Sequence, residues 1–370
     1  MLTRVLAIIA AAVCVASQVP AKAQFGAKGQ PDHSIDAQTT ARVIEAIGKS
    51  LREAYVFPES AAQMEKDLRS RLEKLEYEKI TSAKELAETL TEHLQAVSKD
   101  KHIRVHYGRE APPARNPEDE KLDPARRQEE LARAKARGAA RNFGFEKVET
   151  LDGNVGYILL RGFVPAELAG EAAENAMNAV ANTDALIIDL RSNGGGAPSM
   201  VALLCSYLFG PKPVHLNDQY SRVEDATHQW WTLPYLPGSR YEDKPVYVLT
   251  SERTFSAAEE FAYNLKSLKR ATIVGETTGG GAHPGRVRPL GDRFSMFVPT
   301  GRSINPVTKT NWEGTGVSPD VAVQADLALK TAHLAALKAL IPVNEARIDG
   351  IKKTCESLEQ ELSDAEPATK

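Results

Sequence analysis

Three cysteines in 370 residues are too few to staple a fold, so this chain does not belong to the small disulfide-framed class. Aromatic residues reach only 6%, and 46 Lys+Arg against 49 Asp+Glu leave a formal charge of −3. That balance lacks the concentrated positive field needed to neutralise phosphates, which excludes nucleic acid as the main partner. Paired His/Cys ligands at metal spacing are missing, so a metal mechanism has no support. No Gly-Lys-Ser/Thr follows the glycine-rich turns, which argues against a nucleotide phosphate loop, and no cofactor is expected. What the chain does have is 42% hydrophobic and 26% charged residues, enough apolar material for at least one large core and too much for global disorder. Its length suggests about two domains.

Residues 1–23 read as a secretory signal peptide: Arg4 supplies the positive start, Val5 to Val19 the apolar stretch, and Ala21-Lys22-Ala23 the small residues of a cleavage site. The apolar run is broken by Ser17, Gln18 and Pro20, and nothing later is long enough to span a bilayer. Cys14 follows Ala-Ala-Val, without the small residue a lipidation site needs just before its cysteine. The expectation is an exported chain, periplasmic or secreted, cut near Ala23 and without stable membrane insertion.

Beyond it, Val43, Ile44, Ile47, Leu51 and Tyr55 recur at helical spacing, Pro58 opens a second helix, and Ser82 with Glu85 forms a capping box before Leu86, Leu90, Leu94 and Val97. Residues 34–108 therefore read as a small three-helix domain ending in a strand, because 99–107 alternate. Residues 109–142 are a charged connector, partly helical, with almost no large apolar side chains. From 143 to 341, apolar runs at 155–160, 185–190, 246–250 and 271–275 alternate with helical stretches at 166–181 and 256–269. That order makes a largely parallel sheet covered on both faces. Residues 342–370 form an acidic tail, expected to be mobile after about Cys355.

In such sheets ligands gather beyond the carboxyl ends of the strands. Gly194, Gly195 and Gly196 follow the most apolar strand and suit an oxyanion hole, an anion nest or a plain turn. Ser256 opens a helix after a strand and turn, the placement of an exposed nucleophile, but with Glu259 it also fits a capping box. Ser251 is its neighbour in the turn. Gly279, Gly280 and Gly281 make a flexible loop that could accommodate substrate or simply lie at the surface. Among the histidines, His33, His93 and His333, together with His215 and His228 in a long polar or aromatic loop, read as structural or surface groups, whereas His102 and His106 are placed four apart on one strand and His283 lies in the glycine-rich loop after 271–275.

Tyr55-Val56-Phe57-Pro58, Asp100-Lys101-His102, Asp189-Leu190-Arg191-Ser192-Asn193-Gly194-Gly195-Gly196, Thr254-Phe255-Ser256-Ala257-Ala258-Glu259-Glu260, Gly275-Glu276-Thr277-Thr278-Gly279-Gly280 and Glu313-Gly314-Thr315-Gly316-Val317-Ser318-Pro319-Asp320, in this order, resemble the tail-specific/tricorn-core serine peptidases. The helical first domain resembles the branch of the interphotoreceptor retinoid-binding protein repeats. The resemblance spans residues 36–335 and implies a ClpP/crotonase-like α/β sheet domain. It also implies a triad of Ser256, His102 and Glu313, with Gly194, Gly195 and Ala257 at the oxyanion and Gly279 and Gly280 at the substrate. A Ser-Lys dyad is disfavoured because residues 275–281 hold no lysine, and His283 is the second candidate base. No segment reads as an inserted PDZ module. The implied function is hydrolysis of peptides or unfolded proteins through an acyl-enzyme; the alternative is a noncatalytic binding module for an apolar ligand or peptide.

Overall fold

In the computed structural model, residues 31–108, 124–343 and 347–365 are described. The expected signal peptide and the first half of the connector lie outside them. Helix α1 (Ala37–Ala54) starts where the Asp36 carboxylate accepts the Thr39 N–H at 2.7 Å. Helix α2 (Pro58–Glu73) has proline in its first turn, where a missing N–H costs nothing. Helix α3 (Ala83–Ser98) is capped by Ser82, which accepts the Glu85 N–H at 3.0 Å, and it ends at Lys99 with φ +60°. The three bury Ile47, Leu51, Met64, Leu68, Leu86 and Leu90 between them. A short strand, β1 (Arg104–Tyr107), follows.

Helix α4 (Pro124–Ala139) fills the second half of the connector and leads into the antiparallel pair β2 (Phe145–Leu151) and β3 (Val155–Leu160). Then come α5 (Ala166–Val180), β4 (Ala185–Asp189), α6 (Pro198–Leu208), β5 (His215–Ser221) and β6 (Ala226–Trp231). The chain returns through β7 (Val246–Thr250), α7 (Ala257–Ser267) and β8 (Thr272–Gly275). Strands β9 (Gly285–Gly291), β10 (Phe294–Pro299) and β11 (Gly301–Ile304) lie outside the main sheet, which β12 (Val321–Ala322) completes before α8 (Ala328–Leu340) and α9 (Ile348–Ala365). The main sheet has the order β12-β8-β7-β4-β3-β2 and is parallel except for β2.

Alternation explains why its central strands read as unbroken apolar runs. In β4, Leu186 and Ile188 pack beneath α5, α6 and α7, while Ala185 and Ile187 face α8 and α9. Both faces are dry, so the fold is an α/β sheet with a helical region ahead of it. The helical region does not close its own core: β1 pairs antiparallel with β10, and Leu290, Phe294, Met296 and Val298 seal the underside of α1–α3. From His33 onward the chain is one compact unit.

Three expectations need correction. His102 is not on a strand; it lies in the turn before β1, held by its own N–H donating to Asp100 Oδ1 at 2.9 Å, an Asx-type turn. His215 and His228 belong to strands β5 and β6 rather than a loop, with β5 flanked by β6 and β11. Past Cys355 the chain stays ordered in helix to Ala365, because Ile351, Cys355 and Leu358 form a stripe buried against α8. Both described cysteines, Cys205 and Cys355, are free and buried. No helix among the described residues is long and apolar enough to cross a membrane.

That stripe gives a stability test. Ile351 is 1% exposed, so Ile351→Ala should lower the unfolding free energy by about 2–5 kcal/mol in urea titration. A loss below about 1 kcal/mol would mean that α9 is not part of the core.

Candidate active site

Ser256 is the N-cap of α7 and carries φ +58° and ψ −122°, a backbone region that residues with side chains seldom occupy. The surroundings hold it there. Thr254 Oγ1 donates to Leu190 O at 2.8 Å, Ser251 Oγ to Arg191 O at 2.6 Å, and the Phe255 N–H to Asn193 O at 3.0 Å. Ser251 is thus a buried brace and not a second nucleophile. Asn193, fully buried, also donates from Nδ2 to Leu160 O and accepts the Gly195 N–H at 2.8 Å. Gly195 has φ +102°, and a Cβ there would sit 2.8 Å from Ser256 Cβ, so only glycine permits the loop to reach the serine.

One carboxylate joins this turn to the glycine loop. Glu259 Oε2 accepts the Ser256 and Gly281 N–H groups, each at 2.8 Å, while Oε1 accepts the Gly280 N–H at 2.7 Å and the Thr278 hydroxyl. Burial raises its carboxyl above the usual range, and those four donors oppose the rise. The capping-box spacing was visible in the sequence, but its reach to residues 278–281 was not.

These bonds revise the expected anion contacts. The Gly195 N–H is taken by Asn193, that of Gly280 by Glu259, and that of Gly279 by Thr254 O at 3.0 Å. None of the three points an amide at substrate. Gly194 and Ala257 remain, both lining a cavity of about 370 Å³ together with Ser256 and His102. Ala257 is the first residue of α7, where backbone N–H groups lack intrahelical acceptors and the helix dipole favours negative charge.

His102 is 9% exposed and sits between the rings of Phe255 and Phe297, with centroids at 4.6 and 5.7 Å. Gly281 makes room for it, since a Cβ there would come within 2.6 Å of His102 Cε1. Both ring nitrogens are buried without a hydrogen-bond partner. Burial pulls its pKa down to about 4, against the pull of Asp100 in the other direction. The imidazole is therefore neutral at pH 7 and able to take a proton.

Glu313 makes no hydrogen bond to His102. Its Oε2 accepts the Ala282 N–H and lies 3.4 Å from His283 Nδ1, which in turn is 2.8 Å from Asp100 Oδ2. Tyr55 OH donates to the same Asp100 oxygen at 3.2 Å. The carboxylate nearest a His102 ring nitrogen among the described ion pairs is Asp100, whose Oδ1 is 3.8 Å from Nδ1. His283 is buried against the edge of Phe57 and is not among the residues lining the Ser256 cavity. Asp100, His283 and Glu313 place ligand atoms within 4.8 Å of one another, close enough to hold a cation, and equally a hydrogen-bonded chain of acid, imidazole and acid. Asp100 had no assigned role in the sequence; its signal was the Asp-x-His spacing of an Asx turn.

Among the described residues no lysine lines the cavity. Lys266 pairs with Asp320 at 2.8 Å, Lys244 donates to Ala181 O and Thr183 O, and Lys101 donates to Gly279 O at 2.6 Å.

The Glu313 environment makes a measurable claim. Burial first, and then the nearby Asp100, push its pKa from 4.5 up to about 7, with His283 opposing. Folded Glu313 holds its proton more tightly than unfolded, so it costs stability as pH rises through that window. Glu313→Gln should gain up to about 3 kcal/mol on the wild type between pH 4.5 and 7.5 in denaturant titrations. A pH-independent difference would show that the carboxyl titrates normally.

With this geometry in view, similarity to known proteins becomes informative. A model of peptidase family S41 matches residues 154–323, and a model of the N-terminal domain of S41 peptidases in eukaryotic IRBP matches residues 37–138. The chain is 27% identical over 181 residues to a carboxy-terminal-processing protease of Bartonella bacilliformis, covering 48% of this chain and 40% of that protein. It is 28% identical over 170 residues to the chloroplastic carboxyl-terminal-processing peptidase 3 of Arabidopsis thaliana, covering 45% and 31% respectively. The matched region thus spans less than half the length of these relatives. In three dimensions it superposes on a lipoprotein from Streptococcus agalactiae with TM-score 0.51 and 14% identity, over 85% of this chain and all of the other, a likeness of fold. Two domain matches to the same family, in the order that the helices and sheet occupy and together taking in residues 37–138 and 154–323, show that the chain belongs to peptidase family S41.

Proposed function

We infer that this protein is a serine peptidase acting on peptides or unfolded proteins, with Ser256 as nucleophile and His102 as general base. The observation that carries this reading is that a serine in a strained helix-capping turn and a neutral, unpartnered imidazole face the same cavity. Ser256 Oγ bonds to the scissile carbonyl carbon as His102 takes its proton, and the oxyanion is met by the N–H groups of Gly194 and Ala257. His102 then passes the proton to the leaving amine as the C–N bond breaks, and water repeats the sequence on the acyl-enzyme.

Acid support for His102 comes in this reading from Asp100, a positioning residue that already fixes the His102 backbone and needs only a small ring movement to accept its Nδ1–H. Glu313 acts one step further back, through His283 and Asp100. His283 is the weaker candidate for the base, because its Nδ1 is committed to carboxylates and the ring stands outside the cavity.

The test is labelling by a fluorophosphonate probe. The wild type should react and Ser256→Ala should not, while His102→Ala should slow labelling by about 10²–10⁴-fold with the fold intact. Unslowed labelling in His102→Ala would remove His102 as base. Failure of the wild type to label, with peptide still bound, would favour the noncatalytic binding module.

A further inference from the structure

One acid in the cavity is unused by this chemistry. Glu260 lies one turn along α7 from Ser256, on the same side of the helix, and lines the same cavity while being 3% exposed. Its Oε2 receives the Gln219 amide at 3.4 Å, and Gln219 is itself pinned by Trp230 Nε1 donating to its Oε1 at 3.0 Å. Glu260 Oε1 makes no hydrogen bond; burial pushes the carboxyl up to about 7, although the buried Asn217 amide beside it favours the ionised form. A buried acceptor left empty is costly, and no Lys or Arg lines the cavity to answer it. The walls of the same cavity include Pro198, Phe297 and Trp312, apolar surface suited to an aliphatic stem.

We propose that Glu260 is a specificity-determining residue that receives the cationic end of a lysine or arginine side chain flanking the scissile bond, its stem lying along the apolar wall. The assignment rests on the peptidase reading for its functional meaning, though not for the binding itself. A substrate cation supplies the hydrogen-bond donors that Oε1 lacks and offsets the buried negative charge, whereas an aliphatic side chain of the same length leaves both uncompensated.

The experiment uses the full chain carrying Ser256→Ala and fluorescent peptides differing only in lysine or norleucine, placed in turn on each side of the expected cleavage point. Lysine should bind about ten- to hundredfold more tightly at one of the two positions. Adding Glu260→Gln should bring the ratio to about one, and Glu260→Asp should keep a preference for lysine. The unmodified Glu260 chain already provides a decisive comparison if the variants fail to fold: equal binding of lysine and norleucine at both positions overturns the proposal, as does a preference that survives Glu260→Gln. Lysine preference in a protein whose wild type does not label with fluorophosphonate would uphold this pocket and sink the peptidase reading instead.

Discussion

The Glu259 carboxylate is the tie on which the site depends. Four donors from two separate segments converge on it: the amide of Ser256, two amides of the glycine loop and the Thr278 hydroxyl. A buried carboxylate is tolerable only when its oxygens are satisfied, and here both oxygens carry two bonds. The same contacts hold Gly281 against Phe255 and His102. The Ser256 turn, the glycine loop and the His102 imidazole are therefore placed by one fully buried group.

Two histidines near each other have been given opposite surroundings. His102 is stacked on Phe297 and tilted against Phe255, with its nitrogens bare, so neutrality is favoured. His283 is lodged between Asp100 and Glu313, where a donor at Nδ1 is favoured. Environments that separate two like groups in this way divide chemical labour between them. The fixed imidazole braces the acids; the bare one is the base of the proposed mechanism.

Much of this organisation was legible in the chain, and what was not has physical causes. Central strands announced themselves because both their faces are buried, as in Ala185–Asp189. Strands β5 and β6 did not, since polar side chains such as Asn217, Gln219 and Gln229 interrupt any alternation and their pairing depends on β11, far along the chain. Ser256 and Glu313 could be singled out from motifs, yet Glu313 turned out to face His283, because which carboxylate meets which imidazole is decided by loop packing and not by spacing. Gly195 misled for a related reason: it suggested an amide offered to an anion, whereas its N–H is spent on Asn193, and the N–H groups of Gly279 and Gly280 in the expected flexible loop are likewise taken by Thr254 and Glu259.

The pairing of β1 with β10 bears on how the molecule comes into being. The helices made first in synthesis have an unfinished apolar underside until residues 285–299 emerge, after most of the sheet has been translated. Such long-range closure slows folding and leaves the early helices exposed in the meantime. It also means that His102, carried beside β1, is not brought to Ser256 in a partial chain. The proximity of His102 and Ser256 is therefore delayed until residues 285–299 have been made, so on the proposed reading a nascent chain shorter than that carries no assembled site with which to attack itself or its neighbours.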